Sequence, residues 1–275
     1  MNRLGLILVF LVPSFALAQS IAPSAARPAF GMMSIAPADV PKLSAEADPG
    51  LDLSTPVFIP RMSAELALDT YRRQANRQSQ ALAGYSASTL IRAELPTSSQ
   101  RGEFRLERHY IAPRTLAFKA VRYEGDGFVK TNVIARILQS EVDHVQKDDP
   151  SLTALAPENY KFSHKATTQL DGRTVHVYQI KPRKKRPGLF KGQIYLDAQT
   201  GRLVRVEGRV VRSPSIFIKK IDFVQDYAEV DGFNLPAHMH SEAKAALVGR
   251  TVVDIENRDY QPIPAAPVSA RAGAD

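Results

Sequence analysis

The sequence predicts a mainly β domain with a few helices (α+β), in which one large antiparallel sheet curls into an unclosed half-barrel covered by helices. Three observations lead to this prediction. Period-2 alternation of apolar and polar residues recurs in about ten segments, most links between them are short and contain Gly, and only two segments have a helical period. Short links make neighbouring strands antiparallel, and a sheet of about ten strands must curl.

The first element is a helix that begins after Ser63, a good N-cap residue, and runs to about Ala83, where Gly84 ends it. Arginines occupy the opposite side from the apolar residues, as expected for a helix on the surface of a protein. The residues expected to face inward are Leu66, Tyr71, Ala75 and Leu82.

Three strands follow this helix, and a second helix then interrupts the series. It is predicted over residues 128–147, where apolar residues recur at three- and four-residue steps. Seven further strands follow, joined by turns such as Asp171-Gly172 and Asp231-Gly232. The ten strands are expected at residues 85–95, 102–111, 114–123, 160–169, 173–181, 189–197, 202–211, 216–229, 233–246 and 250–260.

The N-terminal segment has the pattern of a removable secretory signal. Asn2-Arg3 is a short positive region, residues 4–12 are an apolar run too short to span a bilayer, and Ala16-Leu17-Ala18 is a small-x-small cleavage box. We therefore expect cleavage before Gln19 and a soluble protein outside the cytoplasm. An uncleaved N-terminal anchor is the alternative.

Proline distribution predicts the domain boundaries. Two segments are rich in Pro, Ala and Ser and lack any sustained period, which is typical of disordered chain. The expected organisation is a signal peptide at 1–18, a proline-rich disordered leader at 19–60, the folded domain at 61–261 and a disordered tail at 262–275.

Composition limits the function classes. The 275 residues include 44% hydrophobic and 23% charged residues, as in an ordinary globular protein. The absence of Cys excludes disulfides, zinc-thiolate sites and a lipidated N-terminus. A net charge of +8, from 36 Lys and Arg against 28 Asp and Glu, favours contact with anionic surfaces.

No familiar catalytic motif is present. The sequence has no H-E-x-x-H, no G-x-S-x-G, no G-x-x-x-x-G-K-[ST] loop and no G-x-G-x-x-G opening a helix after a strand. The acidic pair Asp148-Asp149 precedes a proline and is typical of a turn. We therefore predict a protein that is not an enzyme and uses no cofactor.

Two histidines have a spacing that could chelate a metal ion. His238 and His240 are two residues apart and would share one face of a strand. We expect no carboxylate beside them on that face except Glu242, which continues it. A solvated strand face is therefore favoured, and no metal site is predicted.

The highest density of charge lies between two predicted strands, in a loop bounded by Pro182 and Pro187. Such a basic loop could dock on anionic lipid, or it could be a solvated hairpin loop. Nucleic acid is not a predicted partner, since an exported protein rarely meets it and the loop lacks aromatics for base stacking. The loop residues are Arg183, Lys184, Lys185 and Arg186.

Apolar residues form one face of several predicted strands, opposite mainly polar residues. Such a face is either core packed by helices or, where two helices are too few to cover it, the wall of a hydrophobic cavity. The predicted ligand-binding residues of this cavity are Phe104, Leu106, Leu116, Phe118, Ile194, Leu196, Val204, Val206, Phe217, Ile221 and Phe223.

Two stretches carry a resemblance to a known family. GQIYLD at 192–197 with TGRLVRVEG at 200–208 resembles the outer-membrane lipoprotein-sorting (LolA/LolB-like) superfamily. SPS at 213–215, KKIDF at 219–223 and GFNLP at 232–236 are similar to an uncharacterised bacterial branch of it. Over residues 62–260 the resemblance implies a LolA-like unclosed barrel whose cavity holds acyl chains during transport through the periplasm.

The sequence thus predicts a periplasmic carrier of lipid or lipoprotein acyl chains that serves lipid or lipoprotein trafficking in the cell envelope. The alternative is a non-catalytic envelope scaffold or interaction module with the same sheet and a fully packed core. The oligomeric state is left open.

Overall fold

The computed structural model describes residues 61–213, 218–246 and 249–266. The predicted signal peptide, the leader and the tail from residue 267 lie outside these ranges, so they stay predictions. Within the described ranges, no helix is both long and apolar enough to cross a membrane.

The first helix, α1, spans Ala64–Ala81, and the Ser63 hydroxyl accepts a hydrogen bond from the Leu66 amide as the predicted N-cap. Two details of the prediction are wrong. Leu66 is 47% exposed, and Ala67 takes the buried position beside it. Gly84 does not end the helix. It lies in the first strand, where a Cβ atom would overlap the carbonyl oxygen of Tyr110.

The second helix, α2, is continuous but has three parts. It opens with one turn at Gly127–Val129, passes through π-helical residues Lys130–Ile134 and ends as regular helix at Ala135–Lys147. The predicted apolar period is confirmed, because most of the residues that recur at three- and four-residue steps are buried. Val133, Ile134, Ile137, Leu138 and Val145 are buried, and Val142 is half-buried.

Ten strands form where the alternation predicts them. Their ends differ from the expected ones by a few residues, most clearly in the last strand, which continues to Pro264 because Pro262 and Ile263 pair with Tyr85 and Gly84. The strands are β1 Leu82–Leu95, β2 Gln100–Ile111, β3 Thr115–Gly125, β4 Tyr160–Leu170, β5 Arg173–Pro182, β6 Phe190–Asp197, β7 Leu203–Val210, β8 Ile218–Val230, β9 Phe233–Ala245 and β10 Gly249–Pro264.

All ten strands belong to one antiparallel sheet in the order β3-β2-β1-β10-β9-β8-β7-β6-β5-β4. The sheet does not close, since β3 and β4 are its two edges. The predicted fold class, a large unclosed antiparallel sheet with two helices, is confirmed. The chain passes from one edge to the other through α2.

Both helices cover the same face of the sheet. Ile221 and Phe223 are alternate residues on one face of β8, yet Ile221 packs in a cluster with α2 and Phe223 in a cluster with α1. We call these the α2 cluster and the α1 cluster. The α2 cluster also draws on β1, β2, β9 and β10, and the α1 cluster on β4, β5, β6 and β7.

The α1 cluster brings β6 and β7 unusually close. Gly192 and Gly208 are register partners on these strands, and Phe190 packs over Gly208. A Cβ at Gly192 would overlap the carbonyl oxygen of Glu207, which is backbone and cannot move aside cheaply. Glycine is therefore required here to allow close approach of the strands.

We predict that Gly192→Ala lowers the free energy of unfolding by about 1–3 kcal/mol, because the strands must separate to admit the methyl group. Urea denaturation measures the change. Gly127→Ala is the matched control, since a Cβ there has nothing within 4 Å. Equal stability of the two variants would contradict the close-approach argument.

Candidate ligand-binding site

A cavity of about 460 Å³ lies between α1, the loop that contains Ala154 and Leu155, and the ends of β7, β8 and β9. Its apolar and aromatic wall includes Tyr71, Leu155, Leu203 and Tyr227, all of which lie in or against the α1 cluster. The cavity is thus an unfilled part of the space between α1 and the sheet.

Two glutamines one helical turn apart hold α1 over the cavity. The Gln74 amide donates to the carbonyl oxygen of Thr200 at 3.0 Å. The Gln78 amide donates to the Asn234 carbonyl at 3.0 Å and accepts from the Asn234 backbone amide at 2.8 Å. Spacing of i and i+4 places both side chains on the same side of the helix. Both glutamine side chains are therefore engaged in hydrogen bonds that fix this wall of the cavity.

Two tyrosines of the wall have no such pairing. Tyr71 is only 9% exposed and Tyr227 is half-buried, and neither hydroxyl has a hydrogen-bond partner among the described residues. Burial raises the pKa of both phenols, and the nearby Tyr71 raises the pKa of Tyr227 further. Both hydroxyls therefore remain protonated at neutral pH.

Charges at the cavity are balanced. Arg202 forms an ion pair with Glu229 at 2.8 Å and donates to the Gly232 carbonyl at 3.4 Å. Arg77 and Asp231 also line the cavity, and neither has an ion-pair partner among the described residues. Asp231 has a positive φ of 50° in the predicted Asp231-Gly232 turn. Glu229 thus neutralises Arg202, and the remaining two charges, on Arg77 and Asp231, have opposite signs.

The residues predicted to bind ligand are not all brought together. They divide among the α2 cluster, the α1 cluster and a small third cluster around Tyr110 and Val145. The α2 cluster contains Leu106 and Ile221 with Phe104 against it, the α1 cluster contains Ile194, Leu196, Val206 and Phe223, and the third cluster contains Leu116 with Phe118 against it.

Two predicted residues fall outside these clusters. Val204 is half-buried, and its neighbour Leu203 packs in the α1 cluster and lines the cavity. The reason is a register shift at Tyr195/Leu196, after which Leu196 pairs with Leu203. Phe217 lies outside the described residues. Contact of any predicted residue with a ligand remains a prediction.

None of the predicted ligand-binding residues that the structure describes lines this cavity. Tyr71 and Ala75 were expected to face inward from α1, and both do line it. The apolar period of α1 was therefore the one feature of the sequence that indicated residues of the cavity wall. No pattern in the sequence indicated that the chain around Leu155 and Phe233 would meet under α1, because these contacts are distant in sequence.

A buried ion pair ties α2 to the sheet. Arg108 of β2 and Glu141 of α2 are 2.9 Å apart, with side chains 8% and 4% exposed. The guanidinium also lies 5.1 Å from the ring centre of Phe118. The Nε atom of Arg108 and the hydroxyl of Tyr110 are buried without hydrogen-bond partners. The pair is packed between helix and sheet, which makes it a structural connection.

The two histidines on β9 have more acidic neighbours than expected. The Asp254 carboxylate of β10 accepts a hydrogen bond from Nδ1 of His240 at 2.8 Å and lies 3.6 Å from His238, while Asp226 of β8 lies 3.7 Å from His238. The expectation that only Glu242 would stand beside them is wrong, because strands distant in sequence supply these carboxylates. The described residues contain no group of three ligands arranged to hold a metal ion.

The basic loop lies between β5 and β6 as predicted. Arg183, Lys184 and Lys185 are exposed, Arg186 is half-buried, and none of the four has a carboxylate partner among the described residues. The Arg183 side chain donates to the Pro157 carbonyl at 2.6 Å. The loop therefore presents unneutralised positive charge to solvent.

Sequence comparison matches one family model. Residues 152–254 match DUF5686, a family of unknown function. No curated protein matches the chain.

Several solved structures are similar to this chain. One is described as an outer membrane lipoprotein-sorting protein domain from Vibrio parahaemolyticus, with 12% identity, a TM-score of 0.39 and coverage of 78% of this chain and 95% of that one. A DUF1329 family protein from Desulfovibrio piger has 11% identity, a TM-score of 0.40 and coverage of 73% and 93%. A LolA superfamily protein from Nitrosomonas europaea has 10% identity, a TM-score of 0.36 and coverage of 75% and 96%.

Lipoprotein-sorting and LolA superfamily proteins, which the sequence resembles, are therefore among the solved structures to which this chain is similar. At these identities and TM-scores, nothing about ligand or partner follows for this chain.

We predict that Glu141→Leu lowers the free energy of unfolding by about 3–5 kcal/mol, because it leaves the Arg108 guanidinium buried without a counter-charge. Chemical denaturation measures the change. The double variant Arg108→Met/Glu141→Leu should recover most of the loss, since apolar side chains then replace both charges. A double variant as unstable as the single one would contradict this role.

Proposed function

We propose that this protein is a non-catalytic periplasmic carrier that binds the acyl chains of a lipid or lipoprotein and serves their trafficking in the cell envelope. The observation that carries the proposal is the cavity of about 460 Å³ beneath α1. Its size falls in the range of about 300–1,000 Å³ typical of small-molecule sites. A wall of apolar and aromatic side chains suits a hydrocarbon chain.

Burial of the acyl chain is the expected source of affinity. Burial of a methylene group contributes about 0.8 kcal/mol, so ten methylenes contribute about 8 kcal/mol before the costs of ordering are subtracted.

Two of the residues predicted from the sequence belong to the same cluster as the cavity wall. The α1 cluster shares Tyr71, Leu155 and Leu203 with the wall and also contains Ile194 and Leu196. We propose that an acyl chain longer than the cavity displaces packing in this cluster and meets these side chains. The periplasmic location rests on the signal pattern of residues 1–18, and the non-catalytic role on the absence of familiar motifs from the sequence.

A second candidate is the envelope scaffold. The observation that favours it is the packing of Leu196 and Val206, which are both 0% exposed and thus have the burial of core residues. In that case the basic loop would engage an anionic partner and the cavity would hold only water. Native mass spectrometry of protein purified from its own envelope, with solvent extraction, separates the two. Co-bound lipid supports the carrier, and its absence supports the scaffold.

We predict that Ala75→Phe weakens the binding of a fluorescent fatty acid at least tenfold, because the ring fills the cavity that Ala75 lines. Fluorescence titration measures affinity, and thermal unfolding checks that the fold is kept. Ala117→Phe on exposed β3 is the matched control and should bind as the parent does. Unchanged affinity in Ala75→Phe would place the fatty acid elsewhere.

We also predict that replacing the four basic-loop residues Arg183, Lys184, Lys185 and Arg186 with Gln weakens binding to anionic vesicles and removes its salt dependence. Each cation near such a surface contributes about 1 kcal/mol, and salt screens the attraction. Vesicle co-sedimentation at low and high salt measures this.

The control for this variant removes four other cations, so that net charge is the same. Gln replaces Arg73, Lys119, Lys147 and Lys161, which are exposed and lie on different elements. Vesicle binding equally weakened in both variants would mean that overall charge, and not the loop, attracts the membrane.

A further inference from the structure

The unpartnered hydroxyls of Tyr71 and Tyr227 indicate what the cavity recognises. A tyrosine hydroxyl that is accessible from a cavity can donate a hydrogen bond to a molecule bound there. Tyr71 and Tyr227 line the same cavity, and none of the described residues pairs with either hydroxyl. Neither oxygen is among the buried side-chain atoms without a partner, so both are accessible, and a bound molecule could supply an acceptor in place of water.

The other polar groups of the wall narrow the choice of acceptor. Gln74, Gln78 and Asn234 already donate to carbonyl oxygens of the protein. Arg202 is neutralised by Glu229. The two hydroxyls are therefore uncharged donors that the described residues leave unused, whereas Arg77, which also lines the cavity without an ion-pair partner, would donate with a positive charge.

A charged headgroup fits this environment poorly. Arg77 and Asp231 both line the cavity and carry opposite charges, so the site has little net attraction for a phosphate or an ammonium group. A neutral oxygen with two lone pairs fits it well, because it can accept two hydrogen bonds without bringing a charge into the cavity. A carbonyl oxygen at the end of an apolar chain has both properties.

We propose that Tyr71 and Tyr227 donate hydrogen bonds to the carbonyl oxygen of an acyl group whose hydrocarbon chain lies against the apolar wall. This inference rests on the proposed function and names its substrate class. The acyl group is either an ester or a free fatty acid, since both have the same carbonyl oxygen. Phenols whose pKa is raised by burial remain donors throughout the neutral range.

The test compares chains with and without a carbonyl. Methyl palmitate, palmitic acid and hexadecane compete for the cavity with diphenylhexatriene, a fluorescent probe that has no carbonyl. In the parent protein both acyl compounds should compete better than hexadecane. Stronger competition by the ester identifies an acyl ester as the ligand, and stronger competition by the acid identifies a free fatty acid.

The variants Tyr71→Phe and Tyr227→Phe remove one hydroxyl each and keep the ring. Each should weaken competition by methyl palmitate about threefold to tenfold, the usual contribution of one hydrogen bond. Competition by hexadecane should not change. The thermal midpoint should change little, because neither hydroxyl has a hydrogen-bond partner among the described residues.

Tyr195→Phe is the matched control. Its hydroxyl donates to Glu207 at 2.7 Å and is remote from the cavity wall, so this variant should bind all three competitors as the parent does. If Tyr71 and Tyr227 were only structural, their Phe variants would have a lower thermal midpoint and would bind all three competitors more weakly. That result would overturn the inference.

The two proposals fail in different ways. If hexadecane competes as well as the acyl compounds, in the parent and in both Phe variants, carbonyl recognition is wrong. The carrier function would still stand. A parent protein that binds neither the probe nor any competitor would overturn the carrier function, and carbonyl recognition with it.

Discussion

The pairing of β1 with β10 is the contact on which the rest of the structure depends. It joins a three-stranded meander at the start of the domain to a seven-stranded meander at its end, and so makes one sheet of ten. Because the first and last strands meet in the interior of the sheet, β3 and β4 become its edges. The chain between them must cross the open side, and α2 lies in that crossing.

Two helices must then cover one face of a large sheet. The apolar stripe of α2 packs against strands from both meanders, and the buried Arg108–Glu141 pair connects the same buried face of the helix to β2. The shorter apolar side of α1 covers the remaining strands less completely. Amide hydrogen bonds from Gln74 and Gln78 hold α1 above the sheet, and the volume that its small side chains do not fill is the cavity.

Buried polar groups of this protein serve two different purposes. Arg108 and Glu141 neutralise each other inside packed structure, which suits a fixed connection between helix and sheet. Tyr71 and Tyr227 lie beside open volume and have no partner among the described residues. The paired charges lie in packed core and stabilise the fold. The unpaired hydroxyls lie at a cavity, which is where we propose that a ligand binds.

The sequence by itself determined the local elements of this protein. Alternation and Asp-Gly turns are properties of neighbouring residues, and for this reason the ten strands, the Ser63 cap and the exposed loop at Arg183 were predictable. Only the tertiary structure decided which distant segments meet. The pairing of β1 with β10, the approach of Asp254 to His240 and the cavity beside Tyr227 all join residues far apart in the chain, and hydrophobic periodicity carries no information about such partners.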